Sequence, residues 1–418
     1  MAIYDAPETF VGMSGCVLVA LLPRERAMSD EFYRTRRLPP YVFAEVNAMK
    51  AAARARGEDI VDLGMGNPDS APPRHVIDKL CEVAAKPNAH RYSASRGIPG
   101  LRKAQAAYYQ RRFDVTLDPD KEVIVTLGSK EGLANLAQAI TAPGDVVLAP
   151  NPSYPIHTFG FIIAGAAIRS IPAAPGEDFF ERLRLAMRYT VPRPKVLVVG
   201  YPSNPTAYVA DLAFYERLVG FAREHELIVI SDLAYAEIYF GPTPTPSILQ
   251  VERAKDVAVE FTSMSKTYSM AGWRIGFAVG NARLIEALAR VKSYLDYGAF
   301  TPVQAAAVAA LNGPQDVVEA NRALYRKRRD TLVQSFARAG WDIPVPQASM
   351  FAWAPIPDRF RELGSMEFAK RLLTEARVAV APGVGFGEEG EGFVRIALVE
   401  NEQRLRQAAR GIKAMLAR

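Results

Sequence analysis

Short apolar runs alternate with stretches of helical periodicity along most of this chain, and each run gives way to a turn. Val123-Ile124-Val125-Thr126-Leu127 breaks at Gly128 and passes through Ser129-Lys130-Glu131-Gly132 into the helical pattern Leu133-Ala134-Asn135-Leu136-Ala137. Val196-Leu197-Val198-Val199 runs into Gly200-Tyr201-Pro202-Ser203-Asn204-Pro205-Thr206, and Leu227-Ile228-Val229-Ile230 into Ser231-Asp232-Leu233-Ala234-Tyr235. Buried strands separated by helical patterns predict an α/β fold with a mostly parallel sheet. Ligands of such sheets bind beyond the carboxyl ends of the strands, where Gly128, Asn204 and Asp232 all fall.

The residues at those ends have matching chemistry. The turn at Gly128, opening a helix at Ser129, offers free backbone N–H groups and a positive dipole end to a phosphate, although an ordinary strand-to-helix junction would look the same. Two prolines push Asn204 outward, where its amide can donate to a phenolate oxygen. Asp232 can pair with a protonated pyridine nitrogen and so make the ring an electron sink, or can simply cap a helix. Tyr235, three residues later, is placed to reach a ring hydroxyl. Downstream lies Ser263-Met264-Ser265-Lys266-Thr267-Tyr268-Ser269-Met270-Ala271-Gly272-Trp273-Arg274-Ile275-Gly276. A lysine between two hydroxyls, followed by an arginine, has the parts to anchor a phosphorylated aldehyde. Lys266 would hold it as a Schiff base, and Ser263, Ser265 and Arg274 would hold its phosphate. The implied cofactor is pyridoxal phosphate.

From about Arg34 to Arg418 the chain resembles the class I/II aminotransferases of pyridoxal-phosphate fold type I, and within them the bacterial glutamate–pyruvate (alanine) aminotransferases. The resemblance extends through Arg37-Leu38-Pro39-Pro40-Tyr41-Val42-Phe43, Met65-Gly66-Asn67-Pro68-Asp69, Tyr92-Ser93-Ala94-Ser95-Arg96-Gly97-Ile98-Pro99-Gly100 and Asn151-Pro152-Ser153-Tyr154-Pro155. It implies that Lys266 carries the cofactor, that Asp232 pairs with the pyridinium and that Asn204 and Tyr235 contact the ring oxygen. Tyr154 would stack on the ring, and Ser129, Lys130, Ser263 and Arg274 would surround the phosphate. It further implies a homodimer with shared active sites, Tyr92 reaching the phosphate from the neighbouring subunit. Gly66 and Arg395 would receive the substrate's α-carboxylate, beside Tyr41 and Asn204. Ala207 departs from the glycine that many relatives carry after Asn-Pro-Thr, at a position that shapes a turn.

Arg395 interrupts an otherwise apolar strand, Phe393-Val394-Arg395-Ile396-Ala397-Leu398, which is costly unless the guanidinium is paired. A planar fork onto a carboxylate is one resolution and an edge-strand salt bridge the other. The expected activity is ping-pong transamination, L-alanine and 2-oxoglutarate giving pyruvate and L-glutamate. Transamination of methionine, aromatic amino acids or aspartate, decarboxylation and β-lyase chemistry would keep the same cofactor residues. No arginine occurs from Ser293 to Gln304 to grip a distal carboxylate from the neighbouring subunit, so glutamate needs another arrangement. A cofactor-binding transcription regulator of this fold would need a winged-helix domain ahead of it, for which there is no room. A nicotinamide dehydrogenase lacks its G-x-G-x-x-G after a first strand.

Composition adds boundaries. The 418 residues suffice for two domains with ample cores. The resemblance divides them into an N-terminal extension at 1–30 expected to lack order, an arm and part of the small domain at 31–74, a large cofactor domain at 75–312 and the rest of a small α+β domain at 313–418. The net charge of +6 is spread without basic blocks, which argues against nucleic acid. Cys16, Cys81 and four dispersed histidines offer no metal constellation or disulfide framework, which suits a cytoplasmic enzyme. The apolar stretch Phe10 to Leu22 is too short to span a bilayer, so no membrane association is expected.

Overall fold

A computed structural model describes residues 32–39 and 42–418; the N-terminal extension and Tyr41 lie outside the described residues. In chain order the strands are β1 (Val61–Asp62), β2 (Val123–Thr126), β3 (Val146–Asn151), β4 (Ala167–Pro172), β5 (Val196–Val199), β6 (Ile228–Asp232), β7 (Ala258–Ser263), β8 (Gly276–Gly280), β9 (Phe351–Pro355), β10 (Val378–Ala379), β11 (Ala381–Pro382) and β12 (Phe393–Ala397). Seven of them form one sheet in the order β2-β8-β7-β6-β5-β3-β4. All run the same way except β8, which is antiparallel to both of its neighbours.

This sheet explains the unbroken apolar runs. Successive residues of a strand face opposite sides, so a strand covered by helices on both faces must be apolar at every position. Val123, Val125, Leu197, Val199 and Val229 enter one core with the helices Pro99–Phe113, Glu177–Tyr189, Leu212–Glu224 and Thr301–Asn312. Their alternates Ile124, Val196, Val198 and Ile230 enter a second core with Ser129–Ile140, Ile156–Ala164 and Ala282–Leu295. The carboxyl ends of β2, β3, β5, β6 and β7 therefore share one edge of the sheet, and β8 starts from that edge.

A third core joins the two ends of the described chain. Val61 and Leu63 pack there with β9, β12 and the helices Asp316–Ala337, Gly364–Ala376 and Glu402–Leu416. β1 pairs in parallel with β10, and β12 is the middle strand of the antiparallel sheet β11-β12-β9. The Ala397 N–H donates to the Leu63 carbonyl at 2.7 Å, which brings the Gly64–Gly66 segment beside Arg395 and over the edge of the large sheet.

Candidate active site

A cavity of about 270 Å³ opens between the strand ends of the large sheet and the third core. Ser129, Lys130, Tyr154, Asn204, Asp232, Tyr235, Ser263, Ser265, Lys266, Arg274, Gly66 and Arg395 all line it, although their positions span more than 300 residues. Tyr92 does not line the cavity of its own chain. It is 85% exposed and its ring meets that of Tyr297, centroids 4.6 Å apart, on the outer surface. Tyr41 lies outside the described residues.

Lys266 stands on the single-turn helix Met264–Thr267, whose N-cap Ser263 accepts a hydrogen bond from the Ser265 N–H. The chain from β7 to β8 makes this turn and folds back through Ser269 and Arg274, both in the left-handed region at φ 56°. β8 then begins at Gly276, where a Cβ would sit 2.7 Å from the Ser129 nitrogen and 2.9 Å from the Thr262 carbonyl oxygen; only glycine lets these backbones approach so closely. Lys266 Nζ donates to the Gly66 carbonyl at 3.0 Å. Burial lowers its pKa from 10.5 to about 8, and the nearby positive charges of Arg395 and Arg274 push in the same direction.

At one end of the cavity the helix Ser129–Ile140 presents its first turn. Gly128 precedes it at φ 83°, and a Cβ there would lie 2.1 Å from Arg274 Nη2. Bare backbone, Ser129, Ser263, Lys130 and Arg274 thus line one recess of the cavity. Arg274 is held in place by hydrogen bonds from Nη1 to the Ala271 carbonyl at 2.8 Å and from Nη2 to the Leu127 carbonyl at 3.4 Å.

At the other end, Asp232 leaves β6 with Oδ1 accepting the Ala234 N–H at 3.2 Å and Oδ2 facing His157 Nε2 at 2.9 Å. The carboxylate thus has both the local turn role and a place in the cavity. His157 is a functional-site residue that sequence reading missed. It comes from the helix Ile156–Ala164, and no local pattern links it to an aspartate 75 residues away. Tyr154 meets its ring edge-on, centroids 5.9 Å apart. Tyr235 lies against Phe351, and burial raises its hydroxyl well above the ordinary tyrosine pKa, so it is a protonated donor.

Arg395 lies on the middle strand of its sheet, which excludes the edge-strand alternative. It is 7% exposed and donates from Nη1 to Asn204 Oδ1 at 2.8 Å and from Nη2 to the Gly64 carbonyl at 2.7 Å. Its guanidinium is flanked by the Phe351 and Phe386 rings, 4.2 and 4.7 Å from their centroids. A Cβ on Gly66 would come within 2.5 Å of the Phe351 ring, so any larger residue there must displace that ring. With Oδ1 engaged, Asn204 keeps its amide hydrogens for a neighbour. Ala207, where the sequence departs from glycine, adopts φ 59° and closes its turn through an N–H bond to the Ser203 carbonyl at 3.1 Å.

An anion recess, a partly neutral amine, a carboxylate opposite and a flat wall at Tyr154 are the donor set that a phosphorylated pyridine aldehyde requires, and the Gly128 cradle leaves it the space. The chain belongs to the aminotransferase class I and II family, whose model matches residues 58–412. It is a pyridoxal-phosphate-dependent aminotransferase of fold type I. AatC of Rhizobium meliloti (strain 1021), named as an aminotransferase without a substrate, is 63% identical over 387 residues, 93% of this chain and 96% of that protein. Glutamate–pyruvate aminotransferase AlaC of Escherichia coli (strain K12) is 56% identical over 384 residues, 92% of this chain and 93% of that one. The LL-diaminopimelate aminotransferase of Moorella thermoacetica (strain ATCC 39073 / JCM 9320) is 44% identical, covering 93% and 98%. The substrate-bound structure of BacF from Bacillus subtilis matches with a TM-score of 0.85 at 35% identity, over 93% of this chain and 98% of that one.

Proposed function

We propose that the enzyme transfers the amino group of L-alanine to 2-oxoglutarate, giving pyruvate and L-glutamate, as a cytoplasmic homodimer. The observation that carries the amino-group transfer is the Arg395 fork, fixed by Asn204 and Gly64 between two phenyl rings, beside the partly neutral Lys266. A guanidinium fixed this way suits the α-carboxylate common to all amino-acid and 2-oxo-acid substrates. Around it Phe43, Phe351 and Phe386 offer an apolar wall to a small side chain. The likeness to a glutamate–pyruvate aminotransferase supports the same substrate pair.

Bound in this cavity, pyridoxal phosphate supplies an aldehyde that condenses with amines and a ring that withdraws electrons from the carbon bearing the amino group. Ser129, Lys130, Ser263, Ser265 and Arg274 would hold its phosphate, and Tyr154 its ring face. Asp232, oriented by His157, would keep a proton on the pyridine nitrogen, while Asn204 and Tyr235 donate to the ring oxygen. Lys266 would anchor the aldehyde, and its free, neutral amine would accept the substrate's α-proton and then give it up again. A pKa near 8 keeps a useful share of that amine neutral at physiological pH. Tyr92, exposed against the Tyr297 ring, would complete the phosphate site of a second copy.

The relatives that act on LL-diaminopimelate motivate a second reading, in which the donor is a long amino acid with a polar far end. A donor panel separates the two: kcat/KM for alanine with 2-oxoglutarate should exceed that for LL-diaminopimelate, methionine, aspartate and phenylalanine. A tenfold advantage for any of these overturns alanine and leaves the aminotransferase standing. Borohydride reduction should fix the cofactor on the Lys266 peptide.

A further inference from the structure

One fully buried charge beneath the phosphate recess has no part in the chemistry above. Lys292, on the inner face of the helix Ala282–Leu295, is 0% exposed, and its Nζ donates to Glu131 Oε1 at 3.0 Å and to Asp296 Oδ2 at 2.8 Å. An ammonium is a costly way to fill a core, because its desolvation must be offset by close carboxylates; an apolar side chain of similar length would fit beside Leu288 and Ala289 without that cost. What the ammonium does is fix Glu131.

Glu131 belongs to the first turn of the helix Ser129–Ile140. Its Oε1 also accepts from Asn135 Nδ2, and its Oε2 accepts the Leu127 N–H at 2.8 Å. On the opposite side of the same residue, the Leu127 carbonyl accepts Arg274 Nη2 at 3.4 Å. Leu127, directly before Gly128, is therefore held through its N–H by the Lys292–Glu131 pair and through its C=O by a guanidinium that itself lines the recess. Asp296, the other partner, is bonded to other segments and does not line the cavity: its Oδ1 accepts the Gly298 N–H at 2.6 Å and its carbonyl accepts from Ser95 Oγ.

We propose that Lys292 is a positioning residue for the cofactor's phosphate: by fixing the Glu131 carboxylate it sets the Leu127–Gly128–Ser129 turn that receives the anion. The inference rests on the reading that the phosphate lies at that turn.

The test measures pyridoxal phosphate binding to apo-protein by fluorescence titration, together with the apo-protein's melting temperature, for Lys292→Met, Glu131→Gln, their double variant and Asp296→Asn. Lys292→Met and Glu131→Gln should each raise the Kd at least tenfold, with the double variant no worse than the weaker single, because both disturb one unit. Asp296→Asn should lower the melting temperature yet leave the Kd within threefold. A lowered melting temperature with unchanged Kd in Lys292→Met, or losses that add in the double variant, overturns the proposal. If Lys292→Met does not fold, the contrast between Glu131→Gln and Asp296→Asn decides, and equal effects on Kd overturn it. A wild-type protein that does not bind the cofactor overturns the underlying site reading instead.

Discussion

Lys266 in the cofactor-free protein is expected to titrate near pH 8, and this can be checked without any turnover. Burial is the largest cause of the lowered value, with Arg395 and Arg274 adding positive charge around the amine. Between an ordinary lysine at 10.5 and one at about 8, the neutral fraction at pH 7 rises from about 0.03% to about 10%, roughly 300-fold. Competitive acetylation of apo-protein across pH, read on the Lys266 peptide by mass spectrometry, should show a midpoint near 8, and Arg395→Gln should move it upward. The same gap has a stability consequence of about 3 kcal/mol. The folded-state pKa lies below the unfolded one, so between pH 8 and 10.5 the unfolded chain binds more protons and stability rises with pH. Wild-type apo-protein should therefore be less stable than Lys266→Met below pH 8 and lose that deficit as the pH approaches 10.5. A Lys266 midpoint above 10, or a stability difference flat across this window, would refute the reasoning.

Asp232→Ala should cut kcat at least a hundredfold while cofactor retention changes little, since a charge-stabilising group in a dry site is commonly worth about 3 kcal/mol and the phosphate contacts remain; steady-state kinetics beside a binding titration separates the two effects. Arg395→Lys should lower kcat/KM for alanine and glutamate alike, by about 2 kcal/mol or roughly thirtyfold, because one arm of the fork is lost for every substrate. Gly66→Ala should lower the melting temperature and displace the carbonyl that Lys266 contacts, since its Cβ would meet the Phe351 ring at 2.5 Å and overpacking of this kind costs about 1–3 kcal/mol. Ala207→Gly should leave activity intact and cost or gain less than about 1 kcal/mol, the relief at φ 59° opposing the greater freedom of glycine in the unfolded chain.

Features that follow from local chemistry are legible along the chain. Strands buried on both faces must be apolar throughout, so β2, β5 and β6 were readable as uninterrupted runs, and the polar residues ending them, from Ser129 to Asn204 and Asp232, marked the sheet edge where a ligand belongs. Lys266 and Arg274 were visible because the segment that holds them is continuous. Other features depend on contacts between distant segments and emerge only once the chain is folded. The reversal of β8 is one: the connection from Ser263 to Gly276 contains only short helical turns, too little for a helix to cross over the sheet, so the chain returns antiparallel. The pairing of His157 with Asp232 across 75 residues is another, as are the Arg395 bond to Asn204 across 191 and the Gly66 carbonyl against Lys266 across 200. None has a periodicity to reveal it, because periodicity reports which face of an element is covered, whereas a side chain's hydrogen-bond partner is set by where the covering element comes from.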